Sequence, residues 1–152
     1  MSIIKLEIHI PELVKVIEAF TANRIKALEA FTQELRGSVS RTIDQILNAE
    51  IELFLGRPDQ GDNKRNGYHP EREYAFKGIG CVKIRLPKDR KGRFDSQVIP
   101  SYERSDPRLK ADMAVLHLAG LSTRMLAMIS KRLLGIEVAK DTVSGSLDLV
   151  KG

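Results

Sequence analysis

The sequence predicts an α+β fold: an N-terminal helix pair, a small basic β-hairpin or sheet, and a C-terminal three-helix unit resembling a helix-turn-helix. Apolar residues recur at helical spacing before residue 57 and after residue 105, whereas apolar and polar residues alternate near the middle. Glycine and proline separate these segments. We divide the 152 residues into a helical region at 1–57, a linker at 58–73, a basic β-region at 74–104 and the C-terminal unit at 105–152.

The N-terminal region is predicted to contain a short strand and two helices. Apolar and polar residues alternate at positions 4–10, which favours a strand. Apolar stripes then run at helical spacing through residues 13–35 and 39–55. Gly37 is expected to separate the two helices, and Gly56 to end the second.

The middle of the chain is predicted to form a β-hairpin with a further strand. Residues 74–77 and 81–86 alternate between apolar and polar character and are joined by a glycine-rich turn. Residues 88–92 are expected to form a second turn, and residues 94–99 a third strand.

Positive charge is concentrated in this part of the chain. The segment from Lys64 to Arg93 holds ten basic and three acidic residues, a net charge of +7 compared with +5 for the whole chain. Strand alternation places Lys83 and Arg85 on one face and the apolar residues on the other. Such a patch is typical of proteins that bind a phosphate backbone. A solvated basic hairpin that resists edge-to-edge aggregation would have the same composition.

The C-terminal region is predicted to hold three short helices. Helical spacing returns at Asp106, and the first helix is expected to end at Gly120. Ser122 is placed to cap the second, which ends at Gly135. A third follows, with apolar residues at 143, 147 and 150 on its inner face. Three short helices with tight turns are the outline of a helix-turn-helix, whose last helix enters the major groove.

The sequence contains no arrangement of residues that indicates catalysis or a metal site. The three histidines and the single cysteine lack metal-ligand spacing. Glu50 and Glu52 are two apart on a predicted helix, which favours solvated carboxylates over a paired acid and base. One cysteine, no apolar run of about 20 residues and no signal peptide make the cytoplasm the expected location.

Six short stretches stand in order along the chain: AEIELFLG at 49–56, NKRNGY at 63–68, KGIGCVKIRLPKDRKGRF at 77–94, QVIP at 97–100, LAGLSTR at 118–124 and LLGIEVAKDTVS at 133–144. Together they resemble the N-terminal half of Mutator-type bacterial transposases, the insertion-sequence 256 family. Each stretch alone is common, but six in register make a specific match over residues 11–150.

The resemblance implies a DNA-binding and assembly role in DNA transposition. Members of the family have a DDE-type catalytic domain with an RNase H-like fold, where two aspartates and a glutamate hold two magnesium ions for strand cleavage and transfer. That domain begins beyond Gly152 in the family, and no carboxylate here matches its acidic triad. Magnesium is therefore expected only with the catalytic domain, and the chain alone is not expected to be active. A gene remnant, an early-stop product and an expressed fragment stay open as its origin.

The resemblance also implies binding to double-stranded DNA, the terminal inverted repeats of a mobile element, in the bacterial nucleoid. Phosphate contacts carry no sequence information, so bases must be read by the helical unit. The candidate phosphate or stacking contacts are Arg65, Tyr68, Lys77, Lys83, Arg85, Lys88, Arg90, Lys91 and Arg93. The candidates in the helical unit are Arg124, Lys131, Lys140 and Thr142.

Other partners and functions fit the same sequence. The N-terminal helices lie in a segment of net charge −3 and are candidates for self-association or contact with full-length transposase, and equally for simple packing. A stand-alone regulator that inhibits transposition and an RNA-binding protein are the alternative functions. Gly145 stands where the family usually has arginine, which predicts a weakened contact from the last helix.

Overall fold

The computed structural model describes residues 4–5 and 12–134 and confirms the α+β class. In chain order the elements are helices α1 (Leu13–Ala22) and α2 (Arg24–Leu55), strands β1 (Arg65–Tyr68), β2 (Arg72–Phe76), β3 (Gly80–Ile84) and β4 (Pro87–Asp89), and helices α3 (Pro107–Leu118) and α4 (Thr123–Leu134). A short 3-10 turn, Pro58–Gln60, follows α2. The predicted strand at 4–10 lies mostly outside the described residues, as does the third C-terminal helix, so both stay predictions.

Helix α2 is continuous from Arg24 to Leu55, so the prediction that Gly37 separates two helices is wrong. The break lies at Asn23, whose extended backbone ends α1. The Asn23 side chain then caps α2 by accepting a hydrogen bond from the Lys26 N–H at 3.1 Å. Glycine costs about 1 kcal/mol in a helix interior, and contacts of the neighbouring turns with the sheet outweigh that cost.

One row of α2 side chains binds the outer edge of β3. Arg36 Nε donates to the main-chain carbonyl of Ile79 at 3.0 Å, and the Ser40 hydroxyl donates to the carbonyl of Lys83. Asp44 Oδ1 accepts a hydrogen bond from the first N–H after β3 at 3.4 Å. The three α2 residues are four apart and so share one helix face. Helix α2 therefore occupies the place of a neighbouring strand.

Within the described residues, four strands form two antiparallel two-stranded sheets. Strands β2 and β3 pair from Arg72 opposite Ile84 to Phe76 opposite Gly80, which confirms the predicted hairpin. Strands β1 and β4 pair around a register irregularity. Neither was predicted: β1 lies in the segment interpreted as a linker, and β4 overlaps the segment interpreted as a turn. Gly67 in β1 has φ +70°, and the Asn-Gly pair that contains it is a turn signal by local criteria.

Residues 94–99 form an irregular segment, so the prediction of a third strand there is wrong. The half-buried Glu50 on α2 holds this segment, because its carboxylate accepts hydrogen bonds from the Ser96 hydroxyl at 2.5 Å and the Gln97 N–H at 2.6 Å. Ser96 Oγ in turn accepts from the N–H groups two and three residues later. Side chains thus take main-chain donors that a strand ladder would use. The expectation that Glu50 is simply solvated is also wrong.

The main core lies between α2 and the β2–β3 hairpin. Its buried members are Val39, Leu47, Tyr74, Val82, Ile84, Leu86 and Ile99. Lys83 and Arg85 are exposed while their neighbours along the chain are buried, which confirms the predicted alternation. The two cations are therefore held on the solvent face by the burial of the opposite face.

Helices α3 and α4 confirm the first two predicted C-terminal helices. Asp106 and Ser122 cap them by accepting hydrogen bonds from main-chain N–H groups of the first turns, at 3.0 and 3.2 Å. Gly120, with φ +103°, supplies the left-handed turn between the helices. Met113 and Leu126 are buried against each other. The helix-turn-helix arrangement as a whole stays a prediction, because its third helix lies outside the described residues.

Candidate nucleic-acid interface

Residues 88–93, here called the basic loop, place four cations within six positions. Arg90, Lys91 and Arg93 are exposed and Lys88 is half-buried. Gly92 has φ +64° and turns the chain inside the loop. Cations at this density can contact several phosphates of one nucleic-acid backbone.

A buried set of three polar side chains, here called the polar anchor, holds the basic loop. Its members, Gln60, Asn63 and Asp89, are only 4–5% exposed. Asn63 Nδ2 donates to Asp89 Oδ2 at 2.7 Å and to Gln60 Oε1 at 3.0 Å. The Asp89 carboxylate also accepts hydrogen bonds from the N–H groups of Arg93 at 3.0 Å and Phe94 at 3.2 Å. The anchor therefore connects the start of the loop to its end.

The anchor keeps its carboxylate ionised. Burial opposes ionisation of Asp89, but the hydrogen bonds from Asn63 and from the N–H groups of Arg93 and Phe94 outweigh it and hold its pKa below the ordinary 3.8. The Lys91 N–H donates to Asn63 Oδ1 at 3.3 Å, so the anchor also contacts the middle of the loop.

Four of the predicted contact residues already form surface ion pairs. These pairs, with their nitrogen–oxygen distances, are Arg65–Glu52 (3.3 Å), Lys77–Asp112 (2.9 Å), Lys83–Glu71 (3.9 Å) and Lys91–Asp62 (2.5 Å). Surface pairs contribute only about 0–1 kcal/mol each, so a phosphate can compete with the acid. Within the described part of the chain, Lys88, Arg90 and Arg93 form no ion pair.

Two guanidinium groups lie over the ring of Tyr68. The Arg85 carbon Cζ is 4.8 Å and that of Arg65 is 5.4 Å from the ring centroid. Arg65 also donates to Asn48 Oδ1 at 2.5 Å, and the Tyr68 hydroxyl donates to the same oxygen at 2.9 Å. The structure thus brings three predicted residues together. It ties Arg65 and Tyr68 to α2 and leaves Arg85 exposed beside them.

Two of the four predicted contacts in the helical unit can be located. Arg124 and Lys131 are exposed on α4. They are seven residues apart, so they lie two turns from each other on one face. Lys140 and Thr142 lie outside the described residues.

Sequence reasoning missed Lys64 and all three members of the polar anchor. The Lys64 carbonyl accepts the Arg90 N–H at 2.9 Å, which places this exposed lysine beside the basic loop. Lys64 was counted in the basic segment but stood in the segment interpreted as a linker. Gln60 and Asn63 carry no local signal, because their partner Asp89 is distant in sequence.

The described part of the chain offers no group of three or more His, Cys, Asp and Glu side chains that could hold a metal ion. Of the helices described, none is long and apolar enough to cross a membrane.

Comparison with known proteins gives one consistent family. A family model for "Transposase, Mutator family" matches residues 12–151. The transposase for insertion sequence element IS905 of Lactococcus lactis subsp. lactis (strain IL1403) is 30% identical over 115 residues, which are 72% of this chain and 29% of the relative. The transposase for IS256 in transposon Tn4001 of Staphylococcus aureus is 33% identical over 88 residues, covering 58% of this chain and 22% of the relative. The transposase for IS1201 of Lactobacillus helveticus is 30% identical over 137 residues, covering 82% of this chain and 36% of the relative. The chain thus spans little more than a third of these relatives at most.

Proposed function

Because the chain belongs to the Mutator family of transposases, we propose that it binds double-stranded DNA at the terminal inverted repeats of an insertion element, as the DNA-binding part of the transposition machinery. The observation that carries this proposal is the basic loop. Lys88, Arg90 and Arg93 form no ion pair within the described residues, and the polar anchor fixes the backbone that bears them. Such a loop presents preorganised positive charge to phosphates.

The proposal divides two tasks between two surfaces. The basic loop, with Lys64, Lys83 and Arg85, contacts phosphates and sets the position of the protein on the duplex. Base reading falls to the helical unit, where Arg124 and Lys131 share a face of α4. An arginine in the major groove can read guanine through two hydrogen bonds, which would give sequence preference.

Salt-dependent binding tests the role of the loop. If four to six phosphates are neutralised, log K for a duplex should fall with log salt at a slope of about −4 to −5. Replacing Lys88, Arg90 and Arg93 by alanine should flatten the slope by about 2–3. Replacing Lys5, Arg41 and Arg104 by alanine removes the same charge from exposed sites outside the basic loop, and should leave the slope nearly unchanged.

The same titrations separate the rival functions. An equal slope for the wild-type chain and the loop variant would remove the basic loop from the binding surface. Stronger competition by structured RNA than by duplex DNA would favour an RNA-binding protein. Inhibition of a full-length transposase by added chain would show that the chain can act as a regulator.

We also propose that a second copy of the chain docks on an apolar arm formed by α1 and the first turns of α2. Six apolar side chains of this arm are 43–69% exposed: Leu13, Val14, Ile17, Ile25, Leu28 and Phe31. Helix α1 contains no buried residue. Covering one such side chain removes on the order of 100 Å² of apolar surface. Six therefore supply several hundred Å², the scale of a stable interface at about 800 Å² per partner.

The charge of the arm favours a like partner over nucleic acid. Residues 12–35 carry three basic and four acidic groups, so the arm is nearly neutral and of mixed sign. Two such helical hairpins can pack as a four-helix bundle around a two-fold axis, with the same patch used twice.

A further inference from the structure

We infer that Asp89 is a positioning residue for phosphate binding, and that with Asn63 and Gln60 it fixes the spacing of the basic-loop cations. The inference rests on the proposed DNA-binding role of the loop. Removing the negative charge of Asp89 from the middle of a basic surface should therefore weaken the binding of a polyanion.

The geometry shows how the carboxylate of Asp89 is used. Asp89 stands among four cations of the basic loop, yet within the described residues it forms no ion pair with any of them. Its oxygens instead accept hydrogen bonds from the Asn63 amide and from two main-chain N–H groups at the end of the loop. The carboxylate therefore holds backbone and leaves the cationic side chains facing outward.

The side chains of the polar anchor are also buried, as a group that positions the loop should be. Asp89 and Asn63 are 26 residues apart in sequence and both nearly inaccessible. Hydrogen bonds to a buried charged group are stronger than those between neutral groups, so this connection restricts the loop more than a surface contact would. A restricted loop loses less conformational freedom when its side chains bind phosphates.

Asp62 provides a matched control. It is an exposed acid beside the same loop, and its carboxylate pairs with Lys91 Nζ at 2.5 Å. The mutations Asp62→Asn and Asp89→Asn each remove one negative charge, but only the second affects the anchor. If charge alone governs binding, both variants should bind DNA more tightly. If Asp89 positions the loop, Asp89→Asn should weaken binding and Asp62→Asn should not.

The experiment measures Kd and salt slope for a duplex at a temperature where circular dichroism shows each full-length variant folded. Asp62→Asn should bind equally or a few-fold more tightly than the wild type. Asp89→Asn should bind about tenfold more weakly, which corresponds to the loss of roughly one strong hydrogen bond. Its salt slope should be flatter by about 1, because one phosphate contact is lost on average.

A side-chain exchange keeps the test decisive if Asp89→Asn folds poorly. Asn63→Asp alone places a second carboxylate against that of Asp89, where the native amide donates at 2.7 Å. The two charges repel each other, so this variant should bind DNA more weakly than Asp89→Asn. Combining it with Asp89→Asn restores an amide–carboxylate bond at unchanged net charge, although one loop N–H loses its acceptor and Gln60 Oε1 loses its donor. The folded double variant should bind at least about threefold more tightly than Asn63→Asp, a coupling that simple additivity does not give.

Three results would overturn the inference. They are a folded Asp89→Asn variant that binds as tightly as the wild type, one that binds more tightly, and a folded exchange variant with no recovery. The alanine variant of Lys88, Arg90 and Arg93 distinguishes failure of the positioning role from failure of the proposed DNA-binding function. If that variant binds like the wild type, the loop is not the DNA surface. If it is weakened while Asp89→Asn is not, only the positioning role is lost.

Discussion

Glu50 on helix α2 accepts a hydrogen bond from the main-chain N–H of Gln97 at 2.6 Å, across 47 residues of sequence. The same carboxylate binds the Ser96 hydroxyl. One side chain of the long helix thereby holds an irregular segment whose Ile99 belongs to the main core. Glu50 thus holds a segment that is distant in sequence.

Replacing Glu50 by glutamine should lower the free energy of unfolding by about 1–3 kcal/mol. The amide keeps one acceptor oxygen but loses the charge that strengthens both hydrogen bonds. Urea denaturation measures the change. Glu52→Gln is the control, because that exposed pair with Arg65 should contribute no more than about 1 kcal/mol. Equal effects of the two substitutions would contradict the anchoring role.

Acid should destabilise the protein partly through Asp106. The Arg108 guanidinium lowers the pKa of Asp106, burial opposes this, and the N–H groups of Arg108 and Lys77 lower it further. A folded-state pKa below the ordinary 3.8 means that the unfolded chain takes up the proton first. The stabilisation is therefore present above about pH 4 and is lost as the pH falls through the folded-state pKa.

Asp106→Asn tests this pH dependence without removing the helix cap, because asparagine caps helices as well as aspartate does. The melting temperature of the variant should lie below that of the wild type at pH 7, and the gap should narrow between pH 4 and pH 2. A gap that is constant across this range would mean that the Asp106 charge does not contribute.

Gly37→Ala should stabilise the protein by roughly 0.5–1 kcal/mol, because alanine is the better helix former at this interior position. A β-carbon there would lie 3.3 Å from Arg41 Nη1, the end of a flexible side chain that can shift. Gly80→Ala is the contrasting variant. Its φ of +99° and an approach of 2.8 Å to Arg36 Nη2 predict a clear loss of stability. In thermal unfolding, the melting temperature should rise for Gly37→Ala and fall for Gly80→Ala.

The apolar arm should control self-association. Ile17→Glu combined with Leu28→Glu places charge on the proposed interface and should convert a dimer to a monomer in sedimentation experiments. Leu53→Glu, at an exposed site near the other end of α2, should leave the dimer intact. A wild-type chain that stays monomeric at about 100 μM, far above the Kd of a stable dimer, would refute the docking proposal.

Local patterns in the sequence were sufficient for elements that depend on near neighbours. Strand alternation correctly predicted that Lys83 and Arg85 are exposed, and capping signals correctly placed Ser122 at the start of α4. Gly56 also ends α2 as predicted. In each case the sequence signal lies within a few residues along the chain.

The features that were missed depend on distant partners. Arg36 reaches Ile79 across 43 residues, and this contact helps α2 continue through Gly37. Strand β1 forms because it pairs with β4, whereas its own Asn-Gly sequence favours a turn. The same reason applies to the site: the cations were visible in the sequence, but the buried Asn63 and Gln60 that hold them were not.

The row of α2 side chains on β3 also limits where the hairpin can pair with a strand of another chain. The outer edge of β3 is occupied by Arg36, Ser40 and Asp44. The outer edge of β2 is engaged at Ala75, which exchanges hydrogen bonds with the segment leading into α3. An extended peptide therefore finds the β3 edge occupied by α2 and the β2 edge interrupted at Ala75. Strand addition at the β3 edge would require α2 to detach first and expose the main core, so resistance to amyloid-like assembly at this edge should follow global stability.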